Sequence, residues 1–540
     1  MTALLTVLAA GALHFTDATV RSGIALTLTS GAAVPTQVVE VKGGGLALFD
    51  CDNDGDLDLF VPNGATLDAP AAGPGARLFE NLGGMRFRDA TAERGVAFRG
   101  WGMGVAIGDV DGNGFDDVYV AAFGPDVLLL NDGKRFTDAT AAAGLGDPRW
   151  GTAAAFGDLD GDGDLDLYVA NYLEFDPKRP PPGATFRGQP VFAGPKGLAP
   201  SADALYENLG GGRFRDASVS SGVASARPSY GLGVAILDFD ADGRPDVFVG
   251  NDSMPSFLFV NQGGLRFAER ALPAGLALNG DGEAQATMGI AVGDVNADGR
   301  PDVFTTNFAD DTNTLRVSLP GTAAAWEDRT RQYNLGAVSR PFLGWATGFF
   351  DFDQDGDEDL LVFNGHVYPT ATIETMDSTY RQTPLLFERA GARFERALPD
   401  RAGPWLAEAH VDRSAAFGDL DGDGDVDVVV GERGGPVRLL ENDGARGHWL
   451  SVALADRRAG VGNRHGLGSR VVLRQGATTQ TRWIVSGGSF QSASAPAAHF
   501  GLADGGPVSL EVTWSDGTVQ KVDGVALDRA ATVERKELRD

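Results

Sequence analysis

The string D-x-[DN]-x-[DN]-G-x-x-D occurs seven times in this 540-residue chain, beginning at Asp50, Asp109, Asp158, Asp238, Asp294, Asp351 and Asp419. Successive starts lie 59, 49, 80, 56, 57 and 68 residues apart, enough for four short strands and their turns. A Gly/Ala-rich apolar segment such as GVAIGD (104–109) or AAAFGD (153–158) precedes each copy, and a tight apolar run such as LFV, VYV or VVV follows it. Bounded by Gly and Asp turn signals, these runs are too short for helices and read as two strands flanking a loop. A second marker alternates with the first: an aromatic, any residue, then usually an acid, as in FRDAT (87–91), FTDAT (136–140), FRDAS (214–218), FAER (267–270), WEDRT (326–330) and FER (394–396). Each copy follows a strand-and-turn segment such as LLLNDGK, so a repeat holds four strands.

After the seventh acidic loop the second marker is missing, and its displaced copy is HFTDAT at residues 14–19. A sheet array whose first strand matches what its last unit lacks is a closed ring, because closure removes the open edges. The expectation is an all-β protein: a seven-bladed β-propeller over residues 13–444, closed by an N-terminal strand, with a small β domain over 446–540, where short alternating strands such as WLSVAL, RVVLR and VSLEVTW replace the loops. Residues 1–12, apolar and ending in the small-x-small string Ala10, Gly11, Ala12, have part of the form of a signal peptide but lack its basic start.

Three acids at alternate positions, a glycine for a sharp turn and a fourth acid suit a hard cation, whose oxygen ligands must converge from a chain bending around it. Position 1 is the Asp that begins each copy. Position 3 is Asp52, Asp111, Asp160, Asp240, Asn296, Asp353 and Asp421, and position 5 is Asp54, Asn113, Asp162, Asp242, Asp298, Asp355 and Asp423. Position 7 varies freely, as Asp56, Phe115, Asp164, Arg244, Arg300, Asp357 and Asp425, so its backbone carbonyl is the expected ligand. Position 9 is Asp throughout: Asp58, Asp117, Asp166, Asp246, Asp302, Asp359 and Asp427. An EF-hand would need Glu at position 12, where this chain has Val six times and Thr once. Magnesium prefers to keep several waters, so calcium, up to seven ions with a structural role, is the expected cofactor.

The net charge of −29 excludes nucleic-acid binding through a basic surface. Positions 1, 3, 5 and 9 hold 26 of the 74 acids, which leaves a formal charge of −3 elsewhere, so the acidity belongs to the loops. One cysteine, Cys51, excludes a disulfide framework, and no apolar run is long enough for a membrane-spanning helix.

Thirteen residues beyond each start lie Asn63, Ala122, Asn171, Asn251, Asn307, Asn364 and Glu432, on the face opposite the acidic loops. Eight residues before a start lie Trp101, Trp150 and Tyr230, with Trp345 two residues off that register. Asn171, Asn251, Asn307, Asn364, Trp101, Trp150, Tyr230 and the nearby His366 are therefore the candidate contacts for a protein or carbohydrate ligand, against the plainer reading that Asn caps strand ends and Trp fills the ring. The insertion from Asn171 to Pro200 lies on the same face and is placed to shape or cover such a site. HExxH, GxSxG, P-loop and CxxC motifs are all missing, so no catalytic residue is assigned.

The loops and blades resemble the FG-GAP repeats of integrin α-subunit propellers. NDSMPSFLFVNQGG (251–264), MGIAVGDVNADGRPDVF (288–304) and NGHVYP (364–369) are similar to the cartilage acidic protein family. NRHGLGSRV (463–471), GGSFQS (487–492), HFGL (499–502) and WSDG (514–517) resemble the ASPIC/UnbV domain. The resemblance implies a secreted or cell-surface binding protein with calcium-loaded blades and no established catalytic residues, and the leading expectation is an extracellular or periplasmic calcium-stabilised interaction module. The alternative is an enzyme or enzyme accessory subunit acting on carbohydrate or another small substrate at the Asn face.

Overall fold

The computed structural model describes residues 14–321, 324–370, 378–444, 447–458 and 460–536; residues 1–12, the signal-like stretch, lie outside them. Seven four-stranded antiparallel units follow one another along the chain. Their innermost strands are Ala47–Phe49, Trp101–Gly108, Gly151–Gly157, Gly231–Leu237, Ile290–Gly293, Gly344–Phe350 and Asp412–Gly418. Each packs against the next, and Asp412–Gly418 packs against Ala47–Phe49, so the ring closes. Close approach at the axis explains the Gly/Ala-rich segments: a Cβ on Gly104 would lie 2.7 Å from the Thr152 carbonyl, and one on Gly289 2.1 Å from that of Trp345.

Closure uses the displaced strand. Phe15–Asp17 pairs antiparallel with Val437–Asn442 of the seventh blade, with Phe15 opposite Asn442 and Asp17 opposite Leu440. The second marker has a physical role at this edge. Asp17, Asp89, Asp138, Asp216 and Asp328 each accept the N–H two residues on, which holds Thr19, Thr91, Thr140, Ser218 and Thr330 where their hydroxyls accept an N–H of the third strand. In the fourth blade Glu269 takes both bonds.

The last propeller strand ends at Asn442 and the second unit begins with His448–Ala455. That unit is a two-sheet sandwich. Ala497–Leu502, His448–Ala455 and Arg529–Glu534 form one sheet; Thr478–Trp483, Arg470–Gln475, Val508–Thr513 and Val519–Val525 form the other. Leu450, Val452, Val471, Leu473, Phe500, Leu510 and Val512 fill the space between them.

Residues 484–497 of this sandwich run back through the centre of the propeller. Ser486–Gly487 adds a fifth strand to the fourth blade, opposite Ile236 and Ala235. Ser489 bridges Ile290, the Val105 N–H donates to the Gln491 carbonyl at 3.1 Å, and Ala493 bridges Ala47. Phe490, fully buried, meets the Trp345 ring at 4.9 Å. Gly45 admits the plug, because a Cβ there would lie 1.8 Å from the Gln491 carbonyl oxygen. The ring thus has a filled centre. Among the described residues no helix is long and apolar enough to cross a membrane.

Phe15 is fully buried and contacts Phe352 at 5.4 Å. Phe15→Ala should therefore cost about 3–5 kcal/mol in denaturant unfolding, and deletion of residues 1–20 should expose the seventh blade's edge and produce aggregates in light scattering. Unchanged unfolding midpoints in both variants would show that this strand does not hold the ring.

Candidate metal centres and the opposite face

Each acidic loop joins the two innermost strands of its blade, and the same bonds recur in all seven. The position-6 glycines adopt φ between +79° at Gly299 and +102° at Gly356. Position 4 is also left-handed, whether glycine or Asn53, Ala241, Ala297 or Gln354. This double turn aims backbone N–H groups inward. The position-1 carboxylate accepts N–H bonds from within its own loop, as from Gly55 to Asp50 at 3.0 Å and Gly114 to Asp109 at 2.7 Å. The position-5 side chain accepts the N–H of position 7 every time.

Position 9 does most of the holding. Both oxygens of Asp58, Asp117, Asp166, Asp246, Asp302, Asp359 and Asp427 accept backbone N–H groups at 2.7–3.2 Å, one from position 2 of the loop and one from the third strand. All seven are buried. The third-strand partner is Asn81, Asn131, Asn208, Asn261, Ser318, Arg389 or Asn442 in turn. The five asparagines also donate from Nδ2 to the position-2 carbonyl of the preceding blade's loop: Leu420, Cys51, Val110, Leu159 and Phe352. Sequence reading missed these blade-to-blade bridges, although the recurring Asn before a Gly turn, as in FENLGG and LLLNDGK, carried the signal.

The remaining lone pairs converge. Ligand atoms of Asp50, Asp52 and Asp54, of Asp109, Asp111 and Asp117, of Asp158, Asp160 and Asp162, and of Asp238, Asp240 and Asp246 each lie within 4.8 Å of one another. Cys51 Sγ also lies within 4.8 Å of ligand atoms of Asp52 and Asp58, but the donors at positions 1, 3, 5 and 9 are all oxygen, and one oxygen of Asp52 and one of Asp353 are buried without a hydrogen-bond partner among the described residues. Both facts fit a hard divalent cation. In three loops a guanidinium takes up one acid: Arg94 pairs with Asp52, Arg244 with Asp242 and Arg300 with Asp298. Asn113, at position 5 of the second loop, donates to the Asn131 carbonyl.

Burial, reinforced by neighbouring carboxylates, raises these acids. Asp109, Asp158, Asp238, Asp294 and Asp419 are pushed up to about 6, Asp58 to about 7, and Asp117, Asp302 and Asp351 to about 8.

The opposite face departs from the ligand-contact reading. Asn171, Asn251, Asn307 and Asn364 are fully buried. Each carboxamide braces the turn of its own blade, donating to Ala202, Pro255, Thr312 and Thr383 carbonyls. The reason is local: the chain turns back where the second strand ends, and a carboxamide there satisfies turn carbonyls that water does not reach. Trp101, Trp150 and Tyr230 do lie about the axis, but in a packed cluster with Tyr172, Met288, Trp345 and Phe490. His366 is enclosed by Phe186 and Phe308 at 5.2 and 5.5 Å, and its Nδ1 accepts the Tyr368 N–H. Burial, with Arg413 nearby, holds it down to about 3, so it is a neutral packing group. The insertion beyond Asn171 covers this cluster: its hairpin Ala184–Phe186 and Gln189–Val191 places Phe186 and Phe192 against Tyr368. Beneath it lies Lys42, which sequence reading did not single out; it is buried 4.1 Å over the Tyr172 ring and 3.7 Å from Asp252, and burial brings it down to about 8. Beside the cover a cleft of about 530 Å³ remains, lined by Phe98, Trp101, Phe123, Trp150 and Phe175.

A ring of repeats whose acidic hairpin loops share one face, capped by a β sandwich, is the class of protein these features define. The FG-GAP-like repeat model matches residues 50–120, 109–169, 191–249, 238–305 and 294–362, and the ASPIC and UnbV model matches 460–539. The chain belongs to the FG-GAP-like repeat family and carries a C-terminal ASPIC and UnbV domain. Cartilage acidic protein 1 of Mus musculus is 26% identical over 310 residues, 56% of this chain and 44% of that protein. The Xenopus tropicalis protein of the same name is 25% identical over 498 residues, 88% of this chain and 70% of its own length. The chain therefore spans less than half the length of the mouse relative in the matched region. A solved lectin from Burkholderia pseudomallei aligns over 74% of this chain and 96% of its own, at 12% identity and a TM-score of 0.44.

Two measurements follow. Asn131→Leu strips the Cys51 and Asp116 carbonyls of their donor and should lower stability by roughly 2–4 kcal/mol in denaturant unfolding. Because the loop acids have folded pKa values above the ordinary carboxylate range, metal-free protein takes up protons on folding. That stability is present at low pH and lost as pH rises through 6 to 8, so in excess chelator the melting temperature should fall between pH 5 and pH 8.5. Saturating calcium should remove that slope, since the cation stands in for the protons; a chelated protein that grows more stable over the same range would contradict the assignment.

Proposed function

We propose that the chain is a calcium-stabilised interaction module of extracellular or periplasmic setting, with the metal ions structural and the partner, protein or carbohydrate, met on the face opposite the loops. One observation carries the reading: in four of the seven loops, those beginning at Asp50, Asp109, Asp158 and Asp238, ligand atoms of three acids drawn from positions 1, 3, 5 and 9 lie within 4.8 Å of one another, and all seven loops turn on a left-handed glycine at position 6. Bound there, calcium supplies positive charge that offsets carboxylate repulsion and ties each innermost hairpin shut. Positions 1, 3 and 5 hold it with side-chain oxygens, position 7 with its carbonyl, and position 9 with the lone pairs left free by its two N–H bonds.

The relatives' name, with its reference to cartilage, accords with an extracellular setting, where calcium is plentiful enough for sites of about 10⁻⁴ to 10⁻³ M. A non-enzymatic role is favoured by the condition of the one histidine among the candidate contacts: His366 is buried and neutral, and among the described residues its Nε2 has no hydrogen-bond partner. The aromatic cleft between Phe123, Trp150 and Phe175 is the opening a partner would use on that face.

Calorimetric titration of protein stripped by chelator should register at least four calcium ions per chain, and the metal should raise the melting temperature by many degrees through mass action. Magnesium should restore only part of that gain. The double variant Asp158→Asn with Asp160→Asn should remove one site and leave the others. Stripped protein that binds fewer than four ions, or melts at the same temperature with and without calcium, would sink the reading.

A further inference from the structure

We propose that the C-terminal sandwich is a calcium-dependent latch: it reads the metal-loaded loops, and its docking on them is what holds residues 484–497 in the centre of the ring. The inference rests on the calcium reading above and adds a coupling between the two units.

The sandwich touches the propeller chiefly through the loops themselves. The Gly501 N–H donates at 3.0 Å to Oδ2 of Asp351, position 1 of the sixth loop. His499 Nε2 lies 2.9 Å from the carbonyl of Gly424, position 6 of the seventh. The Gly462 and Asn463 N–H groups donate to the carbonyl of Gly163, position 6 of the third. Arg464 donates to Asn53 at position 4 of the first loop, and His465 pairs at 2.8 Å with buried Asp116 at position 8 of the second. Five of the seven loops thus make polar contacts with the sandwich.

These contacts leave no slack. A Cβ on Gly501 would lie 2.2 Å from Asp351 Oδ2, one on Gly447 2.3 Å from the Gln354 carbonyl, and one on Gly424 1.8 Å from the Trp449 ring. A surface fitted so closely accepts one loop conformation, and packed interfaces respond to sub-ångström shifts by parting instead of deforming. Docking also buries Asp351 completely. The guanidinium that the sandwich encloses with it, Arg482, is taken up by Glu358 at position 8 of the same loop at 3.3 Å and by the His499, Thr481 and Gln480 oxygens. The carboxylates at positions 1, 3, 5 and 9 therefore still need a cation of their own to be enclosed without a large cost. Metal therefore favours docking, and by reciprocity docking must tighten metal binding by the same factor.

The consequence reaches the axis because residues 484–497 connect two strands of the sandwich. If the sandwich lifts, Phe490 leaves Trp345, and the inner strand of the fourth blade loses its pairing with Ser486 and Gly487. Calcium loss would then open an apolar central passage while the blades persist.

Hydrogen exchange on the full chain, read by peptide mass in 2 mM calcium and in chelator, tests this. Chelation should speed exchange of residues 484–497 at least about tenfold, and by clearly more than that of residues 128–130, in the third strand of the second blade. Gly501→Ala should show the fast exchange even in calcium and should weaken at least one calcium site about fivefold or more by calorimetry. Arg464→Ala with His465→Ala, which removes two contacts without creating a clash, should shift both readouts in the same direction. Exchange of 484–497 that is indifferent to chelator in protein that still binds calcium by calorimetry would overturn the latch and leave the metal reading standing. Loss of protection at 128–130 as large as that at 484–497 would overturn it as well, because the chain would then open as a whole and not by release of the docked sandwich. Absence of any calcium heat would overturn both readings.

Discussion

Seven buried aspartates, from Asp58 to Asp427, hold this molecule together through two backbone hydrogen bonds apiece. Each joins the loop between the innermost strands to the end of the third strand, so a single carboxylate sets the relative position of three strands in a blade. Carboxylate acceptors make stronger bonds than neutral ones, which suits an anchor used seven times. The same burial creates the principal difficulty of the fold. Burial raises the pKa of each anchor, and repulsion from the acids beside it adds to the rise. The divalent cation proposed for these loops would answer that repulsion with oxygen ligands already in place. The asparagines that pass from one blade to the previous loop make the arrangement continuous around most of the ring.

The ring is completed from both ends of the chain. Phe15–Asp17 supplies the edge strand that the seventh blade lacks, and residues 484–497 supply the centre. A propeller otherwise has two weak places, its seam and its axis, and here each is covered by a segment distant in sequence. The sandwich also lies over the acidic loops, so the face that carries them is in part an internal interface. What remains open to a partner is the other face. There the aromatic residues are largely consumed in packing, and the insertion after Asn171 lies across them, leaving the cleft beside Phe123 and Phe175 at its edge.

Much of this architecture was legible along the chain because its determinants are local and repeated. The spacing of Asp and Gly within nine residues dictates a hairpin loop whatever surrounds it, and sevenfold repetition with one displaced marker implies closure. The FxDA[TS] marker was legible as a fourth strand, and its reason, an Asp-held hydroxyl capping the third strand, is equally local. The asparagines at the ends of the second strands showed the limit of such counting. Asn171, Asn251, Asn307 and Asn364 share a register, yet register does not say whether a carboxamide points to the axis or to its own turn. Each found partners within its blade, where unpaired turn carbonyls were nearest.

By itself the sequence determined the number of blades, the closing strand, the position of each acidic loop and the all-oxygen character of its donors, since these follow from short-range geometry and composition. Tertiary structure alone decided that GGSFQS enters the axis, that Gly501 meets Asp351, that Lys42 lies buried over Tyr172, and that His366 is sealed among aromatics. Those contacts join residues tens to hundreds of positions apart, and nothing in the pattern of either segment specifies its partner. They depend on where closure of the ring places each inner strand and on the space a missing Cβ leaves at Gly45 and Gly501, quantities that exist only once the chain is folded.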